Sequence, residues 1–418
     1  METQNDRERV IILDTSLRDG EQQPDIEYTQ DQKIKIASLL EKVGVDVIEA
    51  GYPAASPGEF WTVNKIAHNF ANKPNVTICA LVSTVVDHVH KTAACLQPAA
   101  SKRIHTYIGT SPQHRAALNK TKEEIIGDAQ LAVSCAKQYT DDVQFSAEDA
   151  IRTEREFLKE IFEATIKAGA TTINVPDTVG KQRPKKVEEL FKWLKSNVEG
   201  IEKVTLSIHC HNDLGNASAN SIAAIEGGAR QVECTMNGYG ERAGNTCLKT
   251  VVMNIDEYGD DLGVTTNINR RHLIPMERLL ARTTNVGLPT NRPGGENANT
   301  HKSGGHQSKM SKDKSTYEIL DIGEYGGRSK GFIIDKLSGR AGVRSVLKDL
   351  GFESVTKTQL NNIYNECMMV ADKTNKAVPK SQIKDIATKE LEARFNEASA
   401  SQDNAQTHNV GFTRHMIR

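Results

Sequence analysis

The chain has 418 residues, and 53 Lys plus Arg face 54 Asp plus Glu, for a formal charge of −1 at pH 7. That balance excludes an electrostatic nucleic-acid binder. The length allows two or three domains at roughly 100 to 200 residues each, or one large barrel of about 250 residues with appendages. A hydrophobic content of 38% and a charged content of 26% are those of an ordinary globular protein. No run approaches the roughly 18 apolar residues of a membrane span, and METQNDRERV lacks the character of a signal or transit peptide. A cytoplasmic protein with no membrane or nucleic-acid partner is expected.

In chain order, β-branched and apolar runs alternate with segments of helical period. Strands are predicted at Val10 to Asp14, Asp46 to Ala50, Val76 to Val82, Arg103 to Thr110, Asp142 to Ser146, Thr171 to Pro176, Val204 to His209 and Gln231 to Thr235. Helices are predicted at Gln30 to Val43, Lys122 to Gln138, Glu154 to Ala168, Asn216 to Gly227 and Asn245 to Tyr258. Eight strand-then-helix units predict an α/β fold, a (β/α)8 TIM barrel over residues 1–262. One or two helices between Thr265 and Pro289 and a Gly- and Asn-rich loop follow, assigned to a linker and lid over 263–333. Helices at Arg340 to Leu350, Thr358 to Ala371 and Ser381 to Glu397 predict a small helical C-terminal subdomain over 334–397, ahead of a polar tail over 398–418.

The seven cysteines are odd in number and contain no CxxC pair, which points to buried thiols in a reducing compartment rather than a disulfide framework. Catalytic residues of such barrels cluster after the strand C-termini. The segments there are polar: DTSLRDGEQ, FSAEDA, NVPDTVG, HCHND and NGYGERAGN. His209 and His211 alternate along an extended run, so both imidazoles face one way, as metal ligands or as a hydrogen-bonded pair. Asp19, at the end of the first strand, which in a closed barrel lies beside the eighth and one strand from the seventh, can add an anionic ligand, and Asn245, following the eighth strand, a neutral oxygen. Cys210 points away and is read as structural. Arg18 suits a substrate carboxylate or a developing oxyanion, or else a salt bridge with Glu148 or Glu241. Ser146, Glu148, Asn174 and Thr178 add polar groups on the same face, which together favour a small polar oxyacid.

LDTSLRDGEQ, FSAEDA, TTINVPDTVG, SIHCHNDLGNASANS, QVECTMNGYGERAGN, HKSGGH and LSGRAGVRSVL, in this order over residues 10–350, resemble the 2-isopropylmalate synthase branch of the acyl-CoA condensing barrels. Relatives are homocitrate and citramalate synthases and 3-hydroxy-3-methylglutaryl-CoA lyase. The resemblance implies a Claisen-type condensation of acetyl-CoA with a 2-oxoacid, followed by thioester hydrolysis. It implies a divalent metal (Mn, Mg or Zn) on Asp19, His209, His211 and Asn245, with Arg18 on the developing alkoxide and Thr178 on the carboxylate. It also nominates Glu241, His306 and Tyr317 for proton chemistry, and a homodimer whose lid crosses to the neighbouring active site.

Homocitrate synthases carry Arg where this chain has Gln144, so a monocarboxylic acceptor is expected, first 2-oxoisovalerate in leucine biosynthesis and next pyruvate. The lyase relatives use a cysteine in the loop where this chain reads GYGERAGN. The lid of the synthases commonly reads HESGIHQDG where this chain has HKSGGHQSK, and Val82 and Ser83 are expected to reshape the pocket. At 418 residues the chain leaves no room for the usual leucine-binding regulatory domain, so no leucine feedback is expected.

Overall fold

In the computed structural model, which describes residues 7–392, eight parallel strands close into a barrel. They are β1 (Ile11–Asp14), β2 (Val47–Glu49), β3 (Thr77–Ser83), β4 (Lys102–Gly109), β5 (Asp142–Glu148), β6 (Thr172–Asp177), β7 (Thr205–Cys210) and β8 (Gln231–Cys234). Each pairs with its chain neighbour, and β8 returns to β1 with Ile11 opposite Gln231 and Asp14 opposite Cys234. All eight lie where the apolar runs predict them, with small shifts at the ends.

The helices between them are α1 (Gln30–Val43), α2 (Pro57–Asn69), α3 (Val86–Leu96), α4 (Lys122–Lys137), α5 (Arg155–Ala168), α6 (Pro184–Asn197), α7 (Ala217–Glu226) and α8 (Leu248–Leu262). Local chemistry sets their ends. Thr29 with Gln32 and Thr121 with Glu124 form capping boxes that satisfy the first free N–H groups of α1 and α4. Gly44 ends α1 in the left-handed region, which a glycine enters without steric cost. On α1, Ile36, Ala37, Leu40 and Val43 are buried at the spacing of one helical face.

The sequence places the start of α8 at Asn245, but the helix begins at Leu248 and runs on to Leu262. The chain from Thr235 to Thr246 folds back on the barrel rim instead. Thr235 N donates to Thr246 O, Thr246 N to Cys210 O and Asn245 N to Gly238 O. Those bonds hold Asn245 in a loop at the mouth, where its side chain is 3% exposed.

Two compact units make up the chain: residues up to Leu288 with Glu324–Gly326, and Pro289–Gly323 with the residues from Gly327 onward. The first holds the barrel and α9 (Leu273–Thr284), whose Leu273, Ile274, Met276 and Leu280 are buried. The second has its own core of Ile334, Val343, Val346, Leu347, Leu360 and Ile363. That core is assembled from α11 (Arg340–Asp349), α12 (Lys357–Thr374) and a helix over 380–392. The predicted extension of that last helix to Glu397, and the predicted tail, lie outside the described residues.

The Gly- and Asn-rich stretch expected to be a loop also contains ordered elements. Thr300–His301 pairs in parallel with Gly331–Phe332, and α10 (Gly304–Met310) carries His306. The buried Gln307 side chain explains this, since its Nε2 donates to His301 O at 3.1 Å and Ile333 O at 2.9 Å and so pins the short helix. Gly342 permits the approach, because a Cβ there would sit 2.1 Å from Gln307 Oε1. No helix among the described residues is long and apolar enough to cross a membrane. All seven cysteines are free thiols, six of them buried.

Candidate metal and oxyacid site

A cavity of about 270 Å³ opens at the C-terminal ends of the strands. Arg18, Asp19, Ser146, Glu148, Asn174, Thr178, His209, His211 and Glu241 all line it. β7 delivers His209, and His211 follows it in the strand-like alternation the sequence implies. Asp19 comes from the turn after β1, across the β1–β8 closure.

Asp19 and the two histidines offer ligand atoms within 4.8 Å of one another, all on buried residues. His209 Nδ1 lies 2.9 Å from Glu233 Oε2, and His211 Nδ1 lies 2.6 Å from the Thr178 carbonyl oxygen. Both contacts are with acceptors, so each Nδ1 carries the proton and each Nε2 is left with a lone pair. Those Nε2 atoms face Asp19 at 3.9 and 3.4 Å.

Asn245 Nδ2 donates to Asp19 Oδ1 at 2.7 Å and to Tyr239 O at 3.0 Å, while its Oδ1 is buried without a partner. Two imidazole lone pairs and a carboxylate therefore converge, and the orphaned amide oxygen of Asn245 belongs to a side chain bonded to that carboxylate. A divalent cation answers that arrangement, and the N/O donor set accepts Zn, Mn or Mg. Gly240 keeps the space open, since a Cβ there would stand 2.0 Å from Asn245 Nδ2 and 3.0 Å from Asp19 Oδ1.

The charges are arranged to stay ionised. Burial raises the Asp19 carboxyl, but the adjacent Arg18 guanidinium is the chief influence against it, and the group lies well below the usual carboxylate range. Arg18 Nη1 donates to Asp19 Oδ2 at 2.6 Å and its Nε to Glu49 Oε2 at 2.7 Å. The expected alternative partners of Arg18, Glu148 and Glu241, are thus replaced by Asp19 and by Glu49. Glu49 is fully buried, and Arg18, His105 and Thr15 overcome that burial to keep it an anion.

Several site residues carry no signal in the motifs. His105, on β4, sits 2.7 Å from Glu49 Oε1 through Nδ1 and 2.6 Å from Ser146 Oγ through Nε2. Ser146 Oγ in turn accepts from Asn174 Nδ2 at 2.8 Å. The strand's alternation Arg103, His105, Tyr107 was the available clue, because all three point inward.

Gln144 lies at the barrel interior below the cavity. It accepts from Arg103 Nη1 and Gln231 Nε2 and donates to Glu233 and toward His105 Nε2. The expectation for Val82 and Ser83 is corrected: Leu81 forms the β3 wall of the cavity, Val82 points into the core, and Ser83 bonds His88 Nδ1 at 3.1 Å.

His306 and Tyr317 belong to the second unit, where their rings stack at 4.0 Å and 21°. Lys309 reaches the Tyr317 hydroxyl at 3.3 Å, and Lys302 pairs with Asp335 at 2.6 Å. Two of the residues that depart from the common lid pattern therefore have partners within their own unit.

The HMGL-like family model matches residues 9–280, and the model described as homocitrate synthase post-HMGL domain-like matches residues 294–375. A 2-isopropylmalate synthase of Neisseria meningitidis serogroup B is 46% identical over 367 residues, covering 87% of this chain and 70% of that one. The chain belongs to the 2-isopropylmalate synthase family. Another member, a 2-isopropylmalate synthase of Pyrococcus furiosus, is 44% identical over 92% of this chain and 76% of its own length. Among solved structures, the hydroxymethylglutaryl-CoA lyase of Pseudomonas aeruginosa superposes with a TM-score of 0.57 at 18% identity, covering 67% of this chain and 95% of that one. That distant likeness reflects the shared barrel. The family's acetyl-CoA and metal dependence thus meets, in this chain, a cavity with a fitting donor set.

Proposed function

We propose that this protein is a metal-dependent acyltransferase of leucine biosynthesis that condenses acetyl-CoA with 2-oxoisovalerate and hydrolyses the thioester to give 2-isopropylmalate and CoA. The observation that carries the reading is the convergence of buried Asp19, His209 and His211, with Asn245 and Arg18 bonded to Asp19, in a chain 46% identical to a 2-isopropylmalate synthase.

Asp19, His209 and His211, with Asn245 beside them, would hold a divalent cation, which when bound would supply Lewis-acid polarisation of the 2-oxo group. Arg18 has Nε and Nη1 committed to Glu49 and Asp19, which leaves its outer Nη2 hydrogens for the oxyanion that forms as the carbonyl is attacked. Thr178, at the mouth, receives the substrate carboxylate. Glu241, His306 and Tyr317 handle the protons: one group takes a proton from the acetyl methyl, the resulting enolate carbon bonds to the 2-oxo carbon, and the alkoxide is protonated. Water then cleaves the thioester and CoA leaves as the thiol.

In this reading the protein works as a homodimer, with the segment bearing His306 and Tyr317 serving the neighbouring subunit's barrel.

The cavity also favours a monocarboxylate. Its cations are Arg18, held by two carboxylates, and Arg242, held by Asp213, against the anions Asp19, Glu148, Glu233 and Glu241. A second substrate carboxylate would be desolvated without a free cation, at a cost of several kcal/mol. Leu81, Tyr107 and Pro176 instead offer apolar contact to a branched side chain.

The test is release of free thiol from acetyl-CoA with a panel of 2-oxoacids. The highest kcat/KM is expected with 2-oxoisovalerate, and pyruvate follows. Preference for 2-oxoglutarate would contradict the assignment, and no thiol release with any acceptor would sink the synthase reading.

A further inference from the structure

We infer that Arg242 is a positioning residue for the metal pocket, locking the proton of His211 on Nδ1 and so aiming the Nε2 lone pair at Asp19. The inference rests on the proposed metal-binding reading of that pocket. Arg242 lies in the loop between β8 and α8, where Asn237 (φ 65°), Gly238 (φ 70°), Arg242 (φ 55°) and Gly244 (φ 88°) all adopt left-handed backbone. Asn237 and Arg242 have side chains, and a residue with a side chain stays in that region only when its surroundings hold it there.

The surroundings of Arg242 are specific. Its Nε donates to Asp213 Oδ1 at 2.8 Å, and its Nη2 donates to Asp213 Oδ2 at 2.9 Å and to the Thr178 carbonyl oxygen at 2.7 Å. The same Nη2 stands 2.9 Å from His211 Nδ1. Both Nη2 hydrogens are thus assigned, one to Asp213 and one to Thr178 O, and none remains for the imidazole.

Thr178 O is also the atom 2.6 Å from His211 Nδ1, a separation that requires the proton to sit on Nδ1. Arg242 therefore acts through the Thr178 carbonyl oxygen, whose position it fixes and which selects the tautomer. In doing so it ties together the loops after β6, β7 and β8, which carry Thr178, His211 and Asn245.

Neighbours of metal ligands that orient them in this way typically change metal affinity by 10- to 100-fold when removed. The experiment measures binding of Mn(II) alone to metal-stripped full-length protein, reading the free ion by electron paramagnetic resonance. R242A and R242Q are expected to weaken binding about 10- to 100-fold, with unfolding temperatures close to wild type because Arg242 sits at the rim. R242K should recover part of the loss, since an ammonium can reach Asp213 or Thr178 O but cannot bridge them as a planar fork does. D213A should reproduce part of the loss, and R242A/D213A should bind no more weakly than R242A.

Manganese binding by R242A and R242Q within twofold of wild type, alongside a D19N variant that loses it, overturns the inference and leaves the pocket reading intact. Wild-type protein that takes up no Mn(II), or a D19N variant that binds it normally, overturns both.

Discussion

At the residue scale the site depends on atoms with no donor to face them. Asn245 Oδ1 is buried without a partner, and the two imidazole Nε2 atoms face an anionic Asp19. Gly240 is the residue whose change tests this packing most sharply, because its Cβ would overlap both Asn245 and Asp19. Gly240→Ala is expected to lower metal affinity at least about tenfold, as loss of a neighbour that orients a ligand does, while the melting temperature moves little; equilibrium dialysis of the divalent ion checks it.

The proton chemistry makes a separate prediction. His306→Ala should keep 2-oxoacid affinity, followed by ligand-induced fluorescence change, and lose about 10²- to 10⁴-fold in kcat. Near-full turnover would remove His306 from the mechanism. The motifs made Asp19, His209 and His211 legible because two histidines on one strand face and an adjacent acid form a recognisable ligand set. His105, Glu49 and Glu233 were not legible: each is a single buried polar residue on a strand, and only the closed barrel shows that they bond to Ser146, Arg18 and His209.

Elements hold these residues through a few buried charges. Lys33 on α1 is 2% exposed and pairs with Glu59 of α2 at 2.9 Å and Glu21 of the loop after β1 at 2.6 Å. Glu59 in turn accepts from Tyr52 N at 3.2 Å, so one cation joins the loop carrying Asp19 to the loop after β2. Lys33→Met leaves two partly buried carboxylates without their cation and is expected to cost about 3 kcal/mol, the lower end for breaking a buried pair. Urea unfolding of the variant measures it, and a change under about 0.5 kcal/mol, the range of an ordinary surface substitution, would show the pair to be solvated.

Strands were readable at this scale because barrel strands buried on both faces appear as continuous apolar runs. The start of α8 and the short α10 were not. Asn245 and Gln307 are fixed by hydrogen bonds to distant carbonyls and amides, Gly238 and Ile333 among them, and no local periodicity encodes those.

For the whole molecule, the two compact units divide the proposed labour: metal and oxyacid groups on the barrel, the stacked His306 and Tyr317 on the other unit. If the second unit serves a neighbour's barrel, two inactive variants should complement. Mixing D19N with H306A under conditions that exchange subunits is expected to restore up to about a quarter of wild-type turnover, as in a random mixture half the molecules are hybrids with one intact site of two. Persistent inactivity of demonstrated hybrids would place each His306 over its own barrel. The near-neutral charge was visible from composition and the barrel from period, whereas the grouping of Glu324–Gly326 with the barrel unit, and of its chain neighbours with the other, was not.

The most direct measurement is thiol release from acetyl-CoA and 2-oxoisovalerate by protein stripped of metal, before and after a divalent cation is restored. The account predicts negligible release without the cation, recovery on adding it, 2-isopropylmalate as the product, and no recovery in Asp19→Asn. Equal turnover with and without the cation, or full recovery in the variant, would contradict it.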